Sequence, residues 1–148
     1  MDRAGFEALR DVPGKVIRAD VVFVARRQTA PAVIAENIVI ENSLGIPLRL
    51  NISYNPEVGS KTFNVVAATD TGTGAICRLD VDGPPHRPAG RCHKHSLQTE
   101  RCIEPSQNLR TNVQDMPDLS GMLLADLFEL FCTMAHITHE GTFTEPTP

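Results

Sequence analysis

The clearest pattern in the chain is a strict alternation of apolar and polar residues over residues 48–54. Side chains of a β-strand point alternately to the two faces of a sheet, so this alternation predicts a strand with one buried face and one wet face. Segments rich in valine and isoleucine predict further strands at residues 17–25, 34–41, 62–68 and 75–81. Short turns join most of these strands, as is typical of an antiparallel meander.

A different period follows near the end of the chain. Apolar residues recur there at three- and four-residue spacing, which predicts an amphipathic helix over residues 118–136 with Asp118 as its N-cap. The apolar stripe consists of Leu119, Met122, Leu123, Leu127, Leu130, Phe131 and Met134. Such a stripe normally packs on a sheet. We therefore expect an α+β fold, in which this one main helix lies across one face of a curved antiparallel sheet of about five strands.

Length and composition limit the organisation of the chain. Its 148 residues, of which 41% are hydrophobic, suffice to bury a core without help from metals or disulfides. We expect an N-terminal segment (1–14), a single α+β domain (15–140) and a flexible C-terminal tail (141–148). The chain shows no secretion signal and no apolar run of membrane-spanning length. We therefore expect a cytoplasmic protein with reduced cysteines and no membrane contact.

Charge is distributed unevenly along the sequence. The net charge of −4 and the presence of one Tyr and no Trp argue against a protein that coats nucleic acid or stacks many bases. Residues 78–110 nevertheless hold six basic and four acidic residues, whereas residues 111–148 hold six acidic residues and no Lys or Arg. A locally basic patch suits a phosphate or an acidic partner. Solvated surface charge is the simpler interpretation of any single residue.

Residues 77–102 hold the chemically unusual part of the chain. Alternation along a strand places Arg78, Asp80 and Asp82 on one face, and it would also place His93 and His95 together. A Gly-Pro-Pro turn separates these two groups, so their polar side chains could converge where one strand ends and the next begins. The predicted catalytic residues are His86, His93 and His95. The predicted ligand-binding residues are Arg78, Asp80, Asp82, Arg91 and Lys94.

Three interpretations of this cluster stay open. In the first, histidines act as acid and base at a phosphodiester while a basic residue stabilises the transition state, without any metal or other cofactor. In the second, His93 and His95 bind a metal together with His86, Asp80 or Cys92. In the third, the histidines only hydrogen-bond backbone groups in a polar hairpin.

The spacing of the candidate metal ligands does not favour the second interpretation. The paired C-x-x-C spacing of structural zinc modules is missing, so we predict no structural metal. A weaker metal site formed by Cys92, His93, His95 and Cys102 stays open.

The cysteines fall into two pairs. Cys77 and Cys132 lie within strand and helix patterns, so we expect both in the core. Cys92 and Cys102 have basic neighbours, which would favour the thiolate. Pairing of Cys92 with a histidine as a nucleophile has no motif to support it.

One stretch resembles a known group of proteins. Arg78-Leu79-Asp80-x-x-Gly83-x-Pro85-His86-x-Pro88-x-Gly90 followed by His93-x-His95 is similar to the central motif of small bacterial proteins related to the TumE-type toxins of toxin–antitoxin pairs. The resemblance covers residues 60–137. Two positions depart from the pattern: Ser96 stands where an aromatic residue is usual, and Arg87 stands where Asn is usual.

The resemblance implies a toxin-like protein that acts on RNA or a nucleotide phosphodiester by histidine acid–base chemistry, with a cognate antitoxin as its partner. The alternative is a non-enzymatic binding module, such as an immunity, antitoxin or anti-defence protein, that docks a protein partner or a phosphate ligand.

Overall fold

The computed structural model describes residues 4, 8–9, 11–26, 31–69, 72–85, 90–95 and 113–146. Within these ranges the strands are β1 (Lys15–Ile17), β2 (Val24–Ala25), β3 (Val33–Ile40), β4 (Leu48–Asn55), β5 (Ser60–Thr69), β6 (Gly72–Val81), β7 (His93–His95), β8 (Val113–Asp115) and β9 (Ile137–His139). The C-terminal helix is α1 (Leu124–Met134).

The main sheet is an antiparallel meander in the order β2-β3-β4-β5-β6-β7-β8. With α1 packed on it, this sheet confirms the predicted α+β fold and its curved antiparallel sheet. The sheet has seven strands rather than about five, because β2, β7 and β8 are two or three residues long and too short to show a sequence period. Irregular pairing between Ala35 and Ile38, and again between Val65 and Val66, adds local twist.

The core lies between the sheet and α1. Leu48, Leu50 and Ile52 alternate along β4 and are buried, as the sequence pattern predicts. Phe63 of β5 stacks on Phe131 of α1 with ring centroids 5.4 Å apart. Residues paired across strands share a face, so the register defines the opposite side of the sheet as well. We call that side the outer face; it carries Arg49, Asn51, Ser53, Thr62, Asn64, Arg78 and Asp80.

The N-terminal part of the chain differs from the single strand predicted at residues 17–25. It divides into β1, which pairs in parallel with β9 outside the main sheet, and β2, at the end of the main sheet. Between them the backbone of Val21 is hydrogen-bonded to Thr142 and Thr144. The side chain of Asp20 also accepts a hydrogen bond from the backbone N–H of Thr142, at 2.8 Å. Valine content alone could not show this change of partner.

Residues 141–146, within the expected flexible tail, pack against the rest of the domain. Phe143 stacks on Phe128 of α1 with ring centroids 4.9 Å apart. Gly141 lies so close to Ala19 that a Cβ at this position would overlap the Ala19 carbonyl oxygen. Residues 141–146 therefore have defined contacts in the fold, and the flexibility of the tail stays a prediction. The polar composition of this segment concealed its one aromatic contact with the helix.

The helix begins later than predicted. Residues Pro117–Leu119 form a 3-10 turn, and α1 starts at Leu124 rather than at Asp118. Gly121 intervenes at a φ of 76°, a left-handed conformation that a continuous α-helix cannot contain. The N-cap position is Leu123, whose side chain makes no capping hydrogen bond. Among the described residues, no helix has the length and apolar character needed to cross a membrane.

Candidate functional site

The candidate site is centred on an arginine–aspartate pair on the outer face. Arg78 and Asp80 lie two residues apart on β6 and therefore point to the same side. Arg78 Nε donates to Asp80 Oδ2 at 2.9 Å, and Nη2 donates to Oδ1 at 3.1 Å. Thr62 Oγ1, on the neighbouring strand β5, donates to the same Oδ1 at 2.8 Å. The carboxylate thus fixes the guanidinium by two hydrogen bonds while Thr62 holds the carboxylate.

The two partners differ in exposure. The Asp80 side chain is 10% exposed, whereas the Arg78 side chain is 44% exposed. Asp80 engages the guanidinium edge formed by Nε and Nη2, and the edge that includes Nη1 takes no part in this pair. A planar guanidinium can bind oxygen atoms along more than one edge. Arg78 is therefore an oriented cation with hydrogen-bond donors that the pair does not use.

His93 holds Asp80 from the other side. It lies opposite Asp80 in the β6–β7 register, with Nε2 3.3 Å from Asp80 Oδ2. Its Nδ1 is 2.8 Å from the carbonyl oxygen of Gly90, and its side chain is only 3% exposed. Gly90 is in turn held by Asp115 of β8, which accepts a hydrogen bond from the Gly90 N–H at 3.0 Å. Both ring nitrogens of His93 therefore face oxygen atoms of the protein itself.

Asp82 does not join this group, although alternation predicted that it would. Its backbone adopts a φ of 55°, which ends the extended conformation of β6 and turns the side chain away. The carboxylate instead accepts hydrogen bonds from Ser120 Oγ at 2.5 Å and from the Gly121 N–H at 2.8 Å. Lys61 Nζ lies 3.7 Å from Asp82 Oδ2. Asp82 therefore ties the end of β6 to the turn that precedes α1.

These contacts also set the ionisation of Asp82. Burial raises the pKa of this carboxyl group, but the hydrogen bonds from Ser120, Gly121 and Cys92 and the charge of Lys61 together outweigh burial. The pKa of Asp82 therefore lies below its ordinary value, and the charged form is favoured in the folded protein.

Lys94 and Arg91, two of the predicted ligand-binding residues, do not lie with Arg78. Lys94 follows His93 in β7, so its side chain points to the opposite face, where it is 5% exposed. Burial lowers the pKa of Lys94. Arg91 is exposed but donates to the backbone carbonyl oxygens of Gly83 at 3.1 Å and Asp82 at 2.9 Å. Arg91 therefore closes the turn after β6.

The cysteines only partly match expectation. Cys77 and Cys132 are buried, as predicted, and burial raises the pKa of each thiol to about 12. Cys92 is also buried, so the expectation of a thiolate there is wrong: burial raises its pKa. The Asp82 N–H donates to Cys92 Sγ at 3.4 Å, and the thiol lies 3.6 Å from Asp82 Oδ1. Cys102 lies outside the described residues.

The proposed histidine triad is described only at His93. His86 and the side chain of His95 lie outside the described part of the structure. Within the described part, no three His, Cys, Asp or Glu side chains are grouped so that they could hold a metal ion. The weaker metal site formed by Cys92, His93, His95 and Cys102 stays open, because Cys102 and the side chain of His95 are not among the described residues.

The structure adds residues that sequence reasoning missed. Thr62 supports Asp80 because β5 and β6 pair in this register, and Gly90 supports His93 from the loop three residues before it. Arg49 of β4 also lies on the outer face; its Nη1 donates to the Leu48 carbonyl oxygen at 3.3 Å. No carboxylate among the described residues lies within ion-pair distance of Arg49. Alternation within residues 48–54 already predicts that Arg49 lies on the wet face. That Arg78 lies on the same face follows only from the pairing of β4 with β5 and of β5 with β6.

Comparison of the chain with protein-family models, with curated proteins and with solved structures found no match. The relation to TumE-type toxins therefore stays a prediction from the short motif, and a function has to be argued from the residues themselves.

Proposed function

We propose that this protein is a non-enzymatic binding module that takes a phosphate group of its ligand at Arg78. The observation that carries the proposal is the half-exposed Arg78 guanidinium held at a fixed angle by Asp80. Arginine suits planar, multiple hydrogen bonding to phosphate oxygens. A side chain already held in place loses less conformational entropy when the ligand binds.

The position of His93 is the reason for proposing binding rather than catalysis. A general acid or base has to reach a proton of the substrate. The His93 ring is buried and both of its nitrogens face protein oxygens. In this arrangement His93 supports Asp80, and through Asp80 it supports Arg78. Catalysis by His93 would need its ring to be released from these two contacts.

The acidic character of the whole chain supports a local site. With a net charge of −4, long-range attraction of anions is weak, so affinity has to come from specific donors. Arg78 offers such donors on the outer face, opposite α1. A phosphate ligand is therefore favoured over a broad polyanion-coating role.

Binding is tested with uridine monophosphate as the probe, followed by amide chemical-shift changes in the labelled protein. We expect the changes to centre on Thr62, Arg78 and Asp80, and Arg78→Ala to weaken binding about tenfold, the loss of one charge-assisted contact. Arg26→Ala removes the same charge from an exposed residue next to β2 and serves as the matched control. Equal affinities for Arg78→Ala and wild type would overturn the proposal.

Catalysis is tested by incubating the purified protein with a labelled oligoribonucleotide. We expect the oligonucleotide to stay intact. Cleavage by the wild type that is lost in His86→Ala or His95→Ala would replace the binding module with the enzyme. The same experiment on His93→Gln reports whether the buried ring takes part.

A further inference from the structure

The outer face carries a second arginine at a defined distance from Arg78. In the register, Asn51 of β4, Asn64 of β5 and Arg78 of β6 form one row, and Arg49 lies two residues further along β4. With about 4.8 Å between strands and about 3.3 Å per residue, the two arginine Cα atoms are about 12 Å apart. Arg49 and Arg78 thus flank β5 on a diagonal of the sheet.

The contacts that hold the two guanidinium groups lie in opposite directions along the strands. Arg78 is hydrogen-bonded to Asp80, which lies in the row of Thr62. Arg49 is hydrogen-bonded to the carbonyl oxygen of Leu48, which lies in the row of Ala67, in the opposite direction along the sheet. We therefore expect a ligand that uses both arginines to carry two anionic groups rather than one, since each guanidinium is held by a contact on the side away from the other arginine.

The surface between the two arginines is uncharged. The register positions between them hold Asn51, Asn64 and Val66. Asn51 Oδ1 accepts a hydrogen bond from the Asn37 N–H at 2.8 Å, whereas Asn64 Oδ1 is a buried atom without a hydrogen-bond partner among the described residues. Side-chain amides can pair with the edges of bases or with sugar hydroxyls, and none of these three positions carries a carboxylate.

We infer that the ligand is a short single strand of nucleic acid that crosses the outer face diagonally, with one phosphate at Arg78 and another at Arg49. This inference rests on the proposed phosphate site at Arg78 and extends it to the class of ligand. The site is small, about four nucleotides, at the lower end for folds that bind single strands. With one Tyr and no Trp in the chain, stacking adds little, so the phosphate contacts dominate affinity.

The inference predicts a specific salt dependence. For single strands, the logarithm of the binding constant falls with the logarithm of salt concentration with a slope of about −0.7 per neutralised phosphate. Two contacts give a slope of about −1.4 for the wild type, and removal of either arginine gives about −0.7. The slope counts phosphate contacts independently of absolute affinity.

The experiment measures fluorescence anisotropy of a labelled hexauridylate at several salt concentrations, with wild type, Arg49→Ala, Arg78→Ala and the control Arg26→Ala. We expect Arg49→Ala to weaken hexauridylate binding about tenfold and to halve the slope, while its affinity for uridine monophosphate stays unchanged. Arg78→Ala weakens both ligands, and Arg26→Ala neither. Retained amide spectra of each variant establish that it is folded.

Each contrary outcome has a distinct meaning. If Arg49→Ala leaves the affinity and slope for hexauridylate unchanged while Arg78→Ala weakens both probes, the extended ligand is wrong and the phosphate site stands. If Arg78→Ala leaves uridine monophosphate binding unchanged, the proposed function itself fails. If inorganic polyphosphate of equal charge binds as tightly as hexauridylate, the face selects a polyanion and the assignment to nucleic acid is overturned.

Discussion

Asp80 and Asp82 lie two residues apart at the end of β6, and they organise two different regions of the molecule. Asp80 faces outward and fixes Arg78, a side chain that reaches solvent. Asp82, at a φ of 55°, binds Ser120 and the turn that precedes α1. The same residue type therefore orients the arginine of the candidate site in one region and joins two elements of the fold in the other.

Two consecutive residues at the start of β7 contact the two regions. His93, the first residue of β7, faces outward and contacts Asp80, whereas Cys92, directly before the strand, contacts Asp82. This pair of residues therefore connects the candidate site to the segment that precedes α1. Alternation along a strand therefore predicts the face on which a carboxylate lies only while the backbone stays extended.

Removal of the Asp82 carboxylate should have the largest effect on stability. Asp82→Ala loses the hydrogen bonds to Ser120 and Gly121 and leaves the buried Lys61 without its nearby carboxylate. We expect the free energy of unfolding to fall by about 3 kcal/mol, because bonds to a charged group are lost. Urea denaturation measures it, and uridine monophosphate binding by the folded fraction should be unchanged. If fully folded Asp82→Ala binds uridine monophosphate more weakly than the wild type does, the two regions are not distinct in function.

The matching change at Asp80 should act mainly on binding. Asp80→Asn retains the shape of the side chain but loses the charge that holds Arg78, so we expect about tenfold weaker binding of uridine monophosphate. Stability should fall by about 1.5 kcal/mol, less than in Asp82→Ala, because Arg78 can turn to water. Titration and urea denaturation of one sample give both numbers. A larger loss of stability for Asp80→Asn than for Asp82→Ala would reverse the comparison.

Acid should reduce the contribution of Asp82 to the free energy of unfolding, and one variant can isolate this effect. The pKa of Asp82 is lowered in the folded protein, so its contribution is present above the pKa of the unfolded chain and is lost as pH falls through the folded-state pKa. When the pH is lowered from neutral to below the pKa of an ordinary aspartate, the free energy of unfolding of Asp82→Asn should therefore fall less than that of the wild type. Thermal midpoints across this range test it, and parallel curves would show that Asp82 ionisation is not linked to folding.

The difference between the two carboxylates also marks the limit of prediction from sequence. Periodicity found β4 and the apolar face of α1, and alternation placed Arg78 beside Asp80, because these depend on side-chain direction within regular elements. It failed at Asp82 and at Gly121, where the backbone is left-handed. A period describes a regular backbone and carries no information about where that backbone turns.

The remaining contacts depend on which strands pair. Thr62 reaches Asp80 only because β5 and β6 pair in the observed register, and His93 is buried in a three-residue strand that β8 flanks. The residues next to Thr62 and His93 in the sequence do not indicate either contact. The sequence therefore identified Arg78, Asp80 and His93 as members of one cluster but gave His93 a catalytic role that its burial does not favour.

The smallest effect is expected at Lys94, whose side chain lies on the face of β7 opposite to His93. Its side chain is 5% exposed, and burial lowers its pKa, so the charged ammonium is disfavoured in the fold. Lys94→Met should raise the free energy of unfolding by about 1 kcal/mol at neutral pH, because an apolar side chain of similar length avoids desolvation of a charge. The gain should shrink as pH rises from the folded-state pKa of Lys94 towards that of the unfolded lysine, since the wild type then loses its buried charge. Urea denaturation at neutral and alkaline pH measures both, and uridine monophosphate binding should not change, because Lys94 faces away from Arg78. The prediction is wrong if Lys94→Met is less stable than the wild type. It is also wrong if the variant binds uridine monophosphate less tightly, because Lys94 would then contribute to a site on the opposite face of the sheet.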